Sequence, residues 1–243
     1  MELSSVLARQ VVGLLRLRLI GLHRRSLQYI IYGAVIPWLF MTIVDGVTPA
    51  ADSLRLMVAG GFVSCCFMML RAPAALFASE RLSGVQRLLT GVGGLERLAY
   101  LIAQIFGSAA LMVLPFGVLV GTAAIRDVAM PHSAAWILPA LLLAATLHGL
   151  ALVIARRRVG LATVLLAIDL AVTMMIVFCP VFYGSDAVPA AIWPVVQYAP
   201  PTLAVDAVVQ LWRGSADGWW PTILLAGWAI IFLVIGYRRI RIG

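Results

Sequence analysis

Residues 134–181 read AAWILPALLLAATLHGLALVIA, then RRR, then VGLATVLLAIDLAVTMMIVFCPV. Each apolar run reaches the ~20 residues that a helix needs to cross a hydrocarbon layer ~30 Å thick. Arg156, Arg157 and Arg158 between them do not belong in hydrocarbon. The two runs therefore read as antiparallel membrane helices joined by a short turn at a membrane face. Working outward, further apolar runs at 29–45, 54–72, 98–123 and 219–237 bring the expected number of spans to six. The fold class is all-α, a polytopic membrane protein in which residues 1–243 form one domain. Composition supports this. Apolar residues make up 63% of the chain and charged residues 12%, with a mean hydropathy of +1.04. Soluble domains carry about 25% charge, so a soluble enzyme or binding module is excluded, and disorder with it.

The net charge is +8, and all 18 basic residues are Arg. They flank apolar runs and do not cluster on a polar domain, so no nucleic-acid partner is expected. With both termini cytoplasmic, fifteen Arg fall inside, and only Arg55, Arg126 and Arg213 fall outside. This asymmetry orients the chain by the positive-inside rule. The first apolar run is expected to be a retained span, because the rest of the chain is equally apolar. Residues 3–25 read as a helix lying along the membrane surface, with Val11, Leu15, Leu19 and Leu22 on one side and Arg9 and Arg16 on another.

Two connections are longer than their spans require. Residues 73–97 contain Ser79, which can cap a helix, and then Leu82, Val85, Leu88 and Leu89 on one face. Glu80, Arg81, Gln86 and Arg87 fall elsewhere, and Gly91, Gly93 and Gly94 end the segment. Residues 182–218 contain two apolar pieces of about ten residues, AAIWPVVQYA and TLAVDAVVQLW, broken by Pro. Pieces too short to cross suit a re-entrant helical pair tucked against the bundle. The alternative is a loop lying flat and anchored by Trp193, Trp212, Trp219 and Trp220.

Intramembrane polar residues are few. Asp169 lies near the centre of the fifth run, and His148 lies in the fourth at similar depth. Adjacent antiparallel spans would let the two pair, either as a transport-path site or as packing glue. Cys65, Cys66 and Cys179 have neither metal-ligand nor disulfide spacing and read as buried apolar residues. No metal site is expected.

With these residues in view, the layout resembles the permease subunits of type-2 ABC exporters, the ABC-2 family. Two stretches carry the resemblance. Glu80-Arg81-Leu82-Ser83-Gly84-Val85-Gln86-Arg87-Leu88-Leu89-Thr90 is similar to the family's Glu-Arg, Gly, Leu-Leu cytoplasmic segment. Pro180, Phe182 and Tyr183, followed by Pro200, Thr202 and Asp206, resemble its extracellular Pro–aromatic and Pro-x-Thr…Asp elements. The chain departs from the family at Gly91, where Pro is common, and at Ala199 and Val209, where Asn and Arg are common.

The resemblance implies a non-catalytic subunit of an exporter in the bacterial inner membrane. It would pair with a second permease copy and with an ATP-binding cassette ATPase that uses ATP and Mg. Residues 79–90 would be the coupling helix on which that ATPase docks, through Glu80, Arg81, Gly84, Arg87, Leu88 and Leu89. The chain itself binds no cofactor on this reading, and it has no G-x-x-x-x-G-K-[S/T] loop to cradle phosphates. The short extracellular face points to a hydrophobic small molecule, antibiotic or peptide as cargo. The competing readings are a stand-alone secondary transporter or channel and an intramembrane enzyme. No internal repeat favours the former. Against the latter, Gly61-Phe62-Val63-Ser64 is followed by Cys65 and lacks the Gly-x-Ser-Gly turn of a Ser/His protease.

Overall fold

The computed structural model describes residues 2–24, 27, 30–36, 38–39, 42–43, 53–85, 97–155, 160–182 and 188–239. Among these the chain is helical, without strands. Four helices are long and apolar enough to cross a membrane: Ser53–Leu82, Ala134–Ala155, Leu161–Phe178 and Ala216–Arg238. The expected first span, 29–45, is described at residues 30–36, 38–39 and 42–43. Within it, a helical piece containing a π turn at Ile31–Val35 packs on the second span, where Ser64 Oγ donates to the Gly33 carbonyl at 3.4 Å.

Helix α1 (Glu2–Arg24) lies along α3 (Arg97–Leu111). Leu14 is buried, and Leu7, Val11 and Leu15 pack on the core, while Arg9 and Arg16 are exposed. That spacing of three to four residues forms the inward stripe of an amphipathic helix.

Helix α2 (Ser53–Leu82) has 30 residues, eleven more than its expected run of 54–72. Pro73 directly follows the expected end at residue 72. The structure carries the helix past it with a π turn at Cys66–Arg71, in which the Ala72 N–H bonds back to the Phe67 carbonyl. Widening the hydrogen-bond ladder just before a proline accommodates the missing donor. The correction has two consequences. Arg71 lies eleven residues before the end of the helix and not at its edge. Ser79, Glu80 and Arg81 form the last turn of α2, so Ser79 caps no separate helix. The stop comes at Gly84, whose φ of +75° suits glycine. There the Ser83 N–H bonds to the Ser79 carbonyl at 2.9 Å and the Gly84 N–H to the Arg81 carbonyl at 3.3 Å.

The expected third span is two helices, α3 and α4 (Val113–Ile125), meeting at Met112. Pro115 has no N–H to offer the Leu111 carbonyl four residues earlier, and α3 ends at Leu111. Helix α5 (Ala134–Ala155) starts at Ser133, whose Oγ accepts from the Ala135 N–H at 3.3 Å. Helix α6 (Leu161–Phe178) is loosely held, with only Val164, Ile168 and Val172 buried among its 18 residues. A single short turn, α7 (Trp193–Val196), leads to α8 (Pro200–Trp212) and then α9 (Trp219–Arg239).

Helix α8 has 13 residues, too short to cross, yet ten of them are buried against α2, α5 and α9. Trp212 is the deepest anchor. Its Nε1 donates to the Ala129 carbonyl at 2.7 Å, and its ring lies 5.0 Å from that of Trp136. Trp212 is thus a core residue, while Trp219 and Trp220 are exposed.

The tightest helix pair is α5 with α9. A Cβ added to Gly149 would lie 2.7 Å from the Phe232 carbonyl carbon, so the two backbones touch there. Gly236 faces Leu152 and Gly149 in the same seam. Small residues permit such approach in apolar surroundings, where dispersion contacts drive helix pairing. Gly149→Leu is expected to cost about 1–3 kcal/mol by overpacking. Gly227→Leu, on α9 but facing open space, is the neutral control. Thermal unfolding of the purified variants checks this; equal midpoints would disprove the seam.

Candidate functional site

Helix α2 carries four charged residues: Arg55, Arg71, Glu80 and Arg81. Each ties α2 to another part of the bundle, at three levels.

At the Pro-rich end, Arg55 Nη2 donates to the Pro180 carbonyl at 2.7 Å and lies 3.0 Å from Asp206 Oδ1. One guanidinium thereby joins α2, the stretch leaving α6, and α8. Pro180, Thr202 and Asp206, expected as motif residues, are brought to one place. Phe182 packs on the core, and Tyr183 lies outside the described residues. Burial pushes the Asp206 carboxyl up from its ordinary range, and Arg55 opposes this by charge and hydrogen bond. Pro200 starts α8, where its missing N–H costs nothing. Thr202 is buried next to Cys179, and all three cysteines are free, buried thiols.

At mid-depth, Arg71 Nε donates to Asp169 Oδ1 at 2.9 Å. Asp169 is the ninth residue of α6 and stands halfway along it. The expected partner was His148, and the structure corrects this: the ion pair goes to Arg71. His148 sits in the core on α5, 2% exposed. The expected span ended at residue 72, which put Arg71 at its edge and away from the depth of Asp169. The pair is not fully enclosed, with side-chain exposures of 33% and 47%.

At the opposite end, Tyr100 Oη donates a short hydrogen bond to Glu80 Oε2, and Gln104 Nε2 donates to Tyr100 Oη at 3.0 Å. Arg81 Nη1 donates to the Ala155 carbonyl at 2.7 Å, satisfying a backbone oxygen at the last turn of α5. Glu80 and Arg81 are therefore half-buried ties between α2, α3 and α5. Leu82 and Val85 remain exposed just beyond them. Gly84 is the helix stop, and Arg87, Leu88 and Leu89 lie outside the described residues.

Sequence reasoning missed Arg55 and Arg71 as site residues and did not notice Tyr100 or Gln104. An Arg inside an apolar run, with an Asp at matching depth in another, was the available signal. Between α2, α4, α5 and α8 lies an apolar cavity of ≈ 30 Å³, lined in part by Phe62, Met112, Trp136 and Val205. That is about one water's share of liquid volume, so no cargo-sized chamber is open there. Among the described residues, no three His, Cys, Asp or Glu converge.

The sequence matches no family model, and no curated protein matches it at a significant level.

Two measurements test these ties. Arg71→Gln and Asp169→Asn are expected to be non-additive in thermal stability. Couplings of polar pairs inside membranes average ~0.6 kcal/mol and reach ~1.7, and the partial exposure of this pair favours the lower figure. His148→Ala combined with Asp169→Asn is expected to be additive; a coupled His148 and an uncoupled Arg71 would reverse the assignment. Arg55→Met should cost about 1.5–3 kcal/mol, because it removes hydrogen bonds to a charged group. An unchanged unfolding midpoint would show that the Pro-rich end is held by packing alone.

Proposed function

We propose that this chain is the membrane-spanning permease subunit of an ATP-driven exporter of the ABC-2 type, working with a second permease copy and two ATPase subunits. The observation that carries this reading is α8: an apolar helix too short to cross, buried against three longer helices and placed between the last two long helices. A helix at membrane depth that does not span suits a re-entrant element, and α7 with α8 would form the re-entrant pair. Together with the Glu-Arg segment at the far end of α2, it reproduces the order of elements in that family.

On this reading the full complement is six spans, with α1 at the cytoplasmic surface and both termini cytoplasmic, in a bacterial inner membrane. The α2 end is the coupling segment. Glu80 and Arg81 then transmit force, since they are bonded to α3 and α5, while Leu82 and Val85 supply the exposed apolar contact for the ATPase. ATP and Mg are used by the partner, and the cargo is a hydrophobic small molecule, antibiotic or peptide. A stand-alone transporter is the second reading, favoured only by the charged pair at mid-depth.

The test is co-purification from native membranes. The chain is expected to bring an ATPase with it, and Leu82→Asp to abolish that association while membrane insertion is retained. Apolar anchors at interfaces cost more than ~2 kcal/mol when lost. Leu82→Asp disturbs none of the internal bonds of Glu80 and Arg81, so it reads docking alone. Transport of cargo by the purified chain without any ATPase would replace this reading with the second.

A further inference from the structure

The Arg71–Asp169 pair is incomplete as a membrane structure. Arg71 uses Nε toward Asp169 Oδ1. Among the described residues, neither its Nη groups nor Asp169 Oδ2 makes a hydrogen bond. Asp169 stands ~12 Å along α6 from either end, where lipid offers neither donors nor acceptors. Charged side chains at this depth face a protein interior or a water-filled cavity, not lipid.

The α6 surface around the pair has the pattern of a helix-pairing face. Ala162, Leu166, Asp169, Thr173 and Ile176 recur at alternating intervals of four and three, with Leu170 and Val177 alongside. This is the spacing of a seam between two helices crossing at about 20°. Ala162, Leu166, Leu170 and Thr173 are exposed, Leu166 to 70%, while Ile176 packs partly on the core, so among the described residues the first two-thirds of the seam stand open. The outward face of α9 is different. Ile223, Ile230, Ile231 and Val234 are exposed there, with no charge among them, as suits lipid.

We infer that a second copy of this chain seats on the α6 face, so that the two Arg71–Asp169 pairs close into one four-charge cluster at the two-fold axis. Charge complementarity selects this occupant. In a two-fold interface each residue meets its reciprocal, so the free Nη donors of Arg71 meet the free oxygen of the second copy's Asp169, and the reverse. The cluster is neutral and uses donors and acceptors that one copy leaves idle. An anionic lipid would satisfy Arg71 but would be repelled by Asp169. The inference rests on the reading of this chain as a paired permease and assigns the face through which it pairs.

The experiment is disulfide cross-linking of the full-length chain in native membranes, with Cys65, Cys66 and Cys179 replaced by Ala. Leu166→Cys and Thr173→Cys are expected to give a band of twice the chain mass, and Ile223→Cys is expected to give none. A second arm uses charge. Asp169→Arg and Arg71→Asp, each introduced into the Leu166→Cys chain, should each lose the band. Co-expressing the two with different tags should restore it as a mixed dimer, because one copy then presents two positive charges and the other two negative ones. The cysteine arm alters no charge and stands even where a charge variant fails to insert. Cross-linking at Ile223 in place of Leu166 and Thr173, no cross-link at any of the three, or charge variants that cross-link as fully as the parent would overturn the inference. Co-purification reads the permease assignment separately. A chain that cross-links through Leu166 and brings no ATPase keeps this interface and loses the transport reading. One that brings an ATPase but cross-links only through Ile223 does the opposite.

Discussion

In surroundings that offer no hydrogen bonds, a charged side chain must find its partner within the protein. Helix α2 meets that constraint four times, and the rest of the bundle is arranged around the result. Arg55 reaches the stretch after α6 and helix α8, Arg71 reaches the middle of α6, Glu80 reaches α3 through Tyr100, and Arg81 reaches the last turn of α5. Successive ties lie ~24 Å and ~14 Å apart along the helix axis. A helix pinned at both ends and in the middle has few ways to rotate independently of its neighbours. It acts as the spine that relates the two ends of the molecule.

Much of this architecture is legible in the sequence, and the parts that are not share a cause. Helices α5 and α9 fall within a few residues of their expected ends, because an unbroken apolar run flanked by charge has one reading in a membrane. The expected run of α2 stops at residue 72, just before Pro73, whereas a π turn absorbs the missing donor and carries the helix on to Leu82. The α3–α4 break was misread in the opposite direction, with a long apolar run outweighing Pro115. The site divides in the same way. Glu80, Arg81, Pro180, Thr202 and Asp206 stand out through the family resemblance. Their partners do not: Arg55 and Pro180 are 125 residues apart, Arg71 and Asp169 are 98 apart, and Arg81 and Ala155 are 74 apart. No local pattern encodes such pairings. Only the packing of the helices does.

The π turn at Cys66–Arg71 ties the geometry of α2 to its chemistry. A π turn adds one residue to a helical turn, and an α-helix advances ~100° per residue. Every side chain beyond it is therefore turned by that amount relative to a continuous α-helix. Arg71 ends the π turn, and Glu80 and Arg81 follow it. The same irregularity that carries the chain past Pro73 thus sets the azimuth at which Arg71 meets Asp169 and at which Glu80 and Arg81 meet α3 and α5. Converting the π turn to an α turn at unchanged chain length would turn these ties away from their partners together, whereas the Arg55 tie, before the π turn, would be left in place.

Packing is distributed unevenly around this spine. Gly149 and Gly236 bring α5 and α9 into backbone contact, a seam that neither helix can leave without losing dense dispersion contacts. Helix α8 is buried along most of its length between them and α2. Helix α6 stands apart, with three buried residues and one ion pair holding its middle to α2. Local opening falls where buried contacts are fewest. In the isolated chain, α6 is therefore the helix most free to shift, and the Arg71–Asp169 bond is the principal restraint on it at mid-depth. An element held loosely by its own chain is one whose position is left to whatever binds its open face.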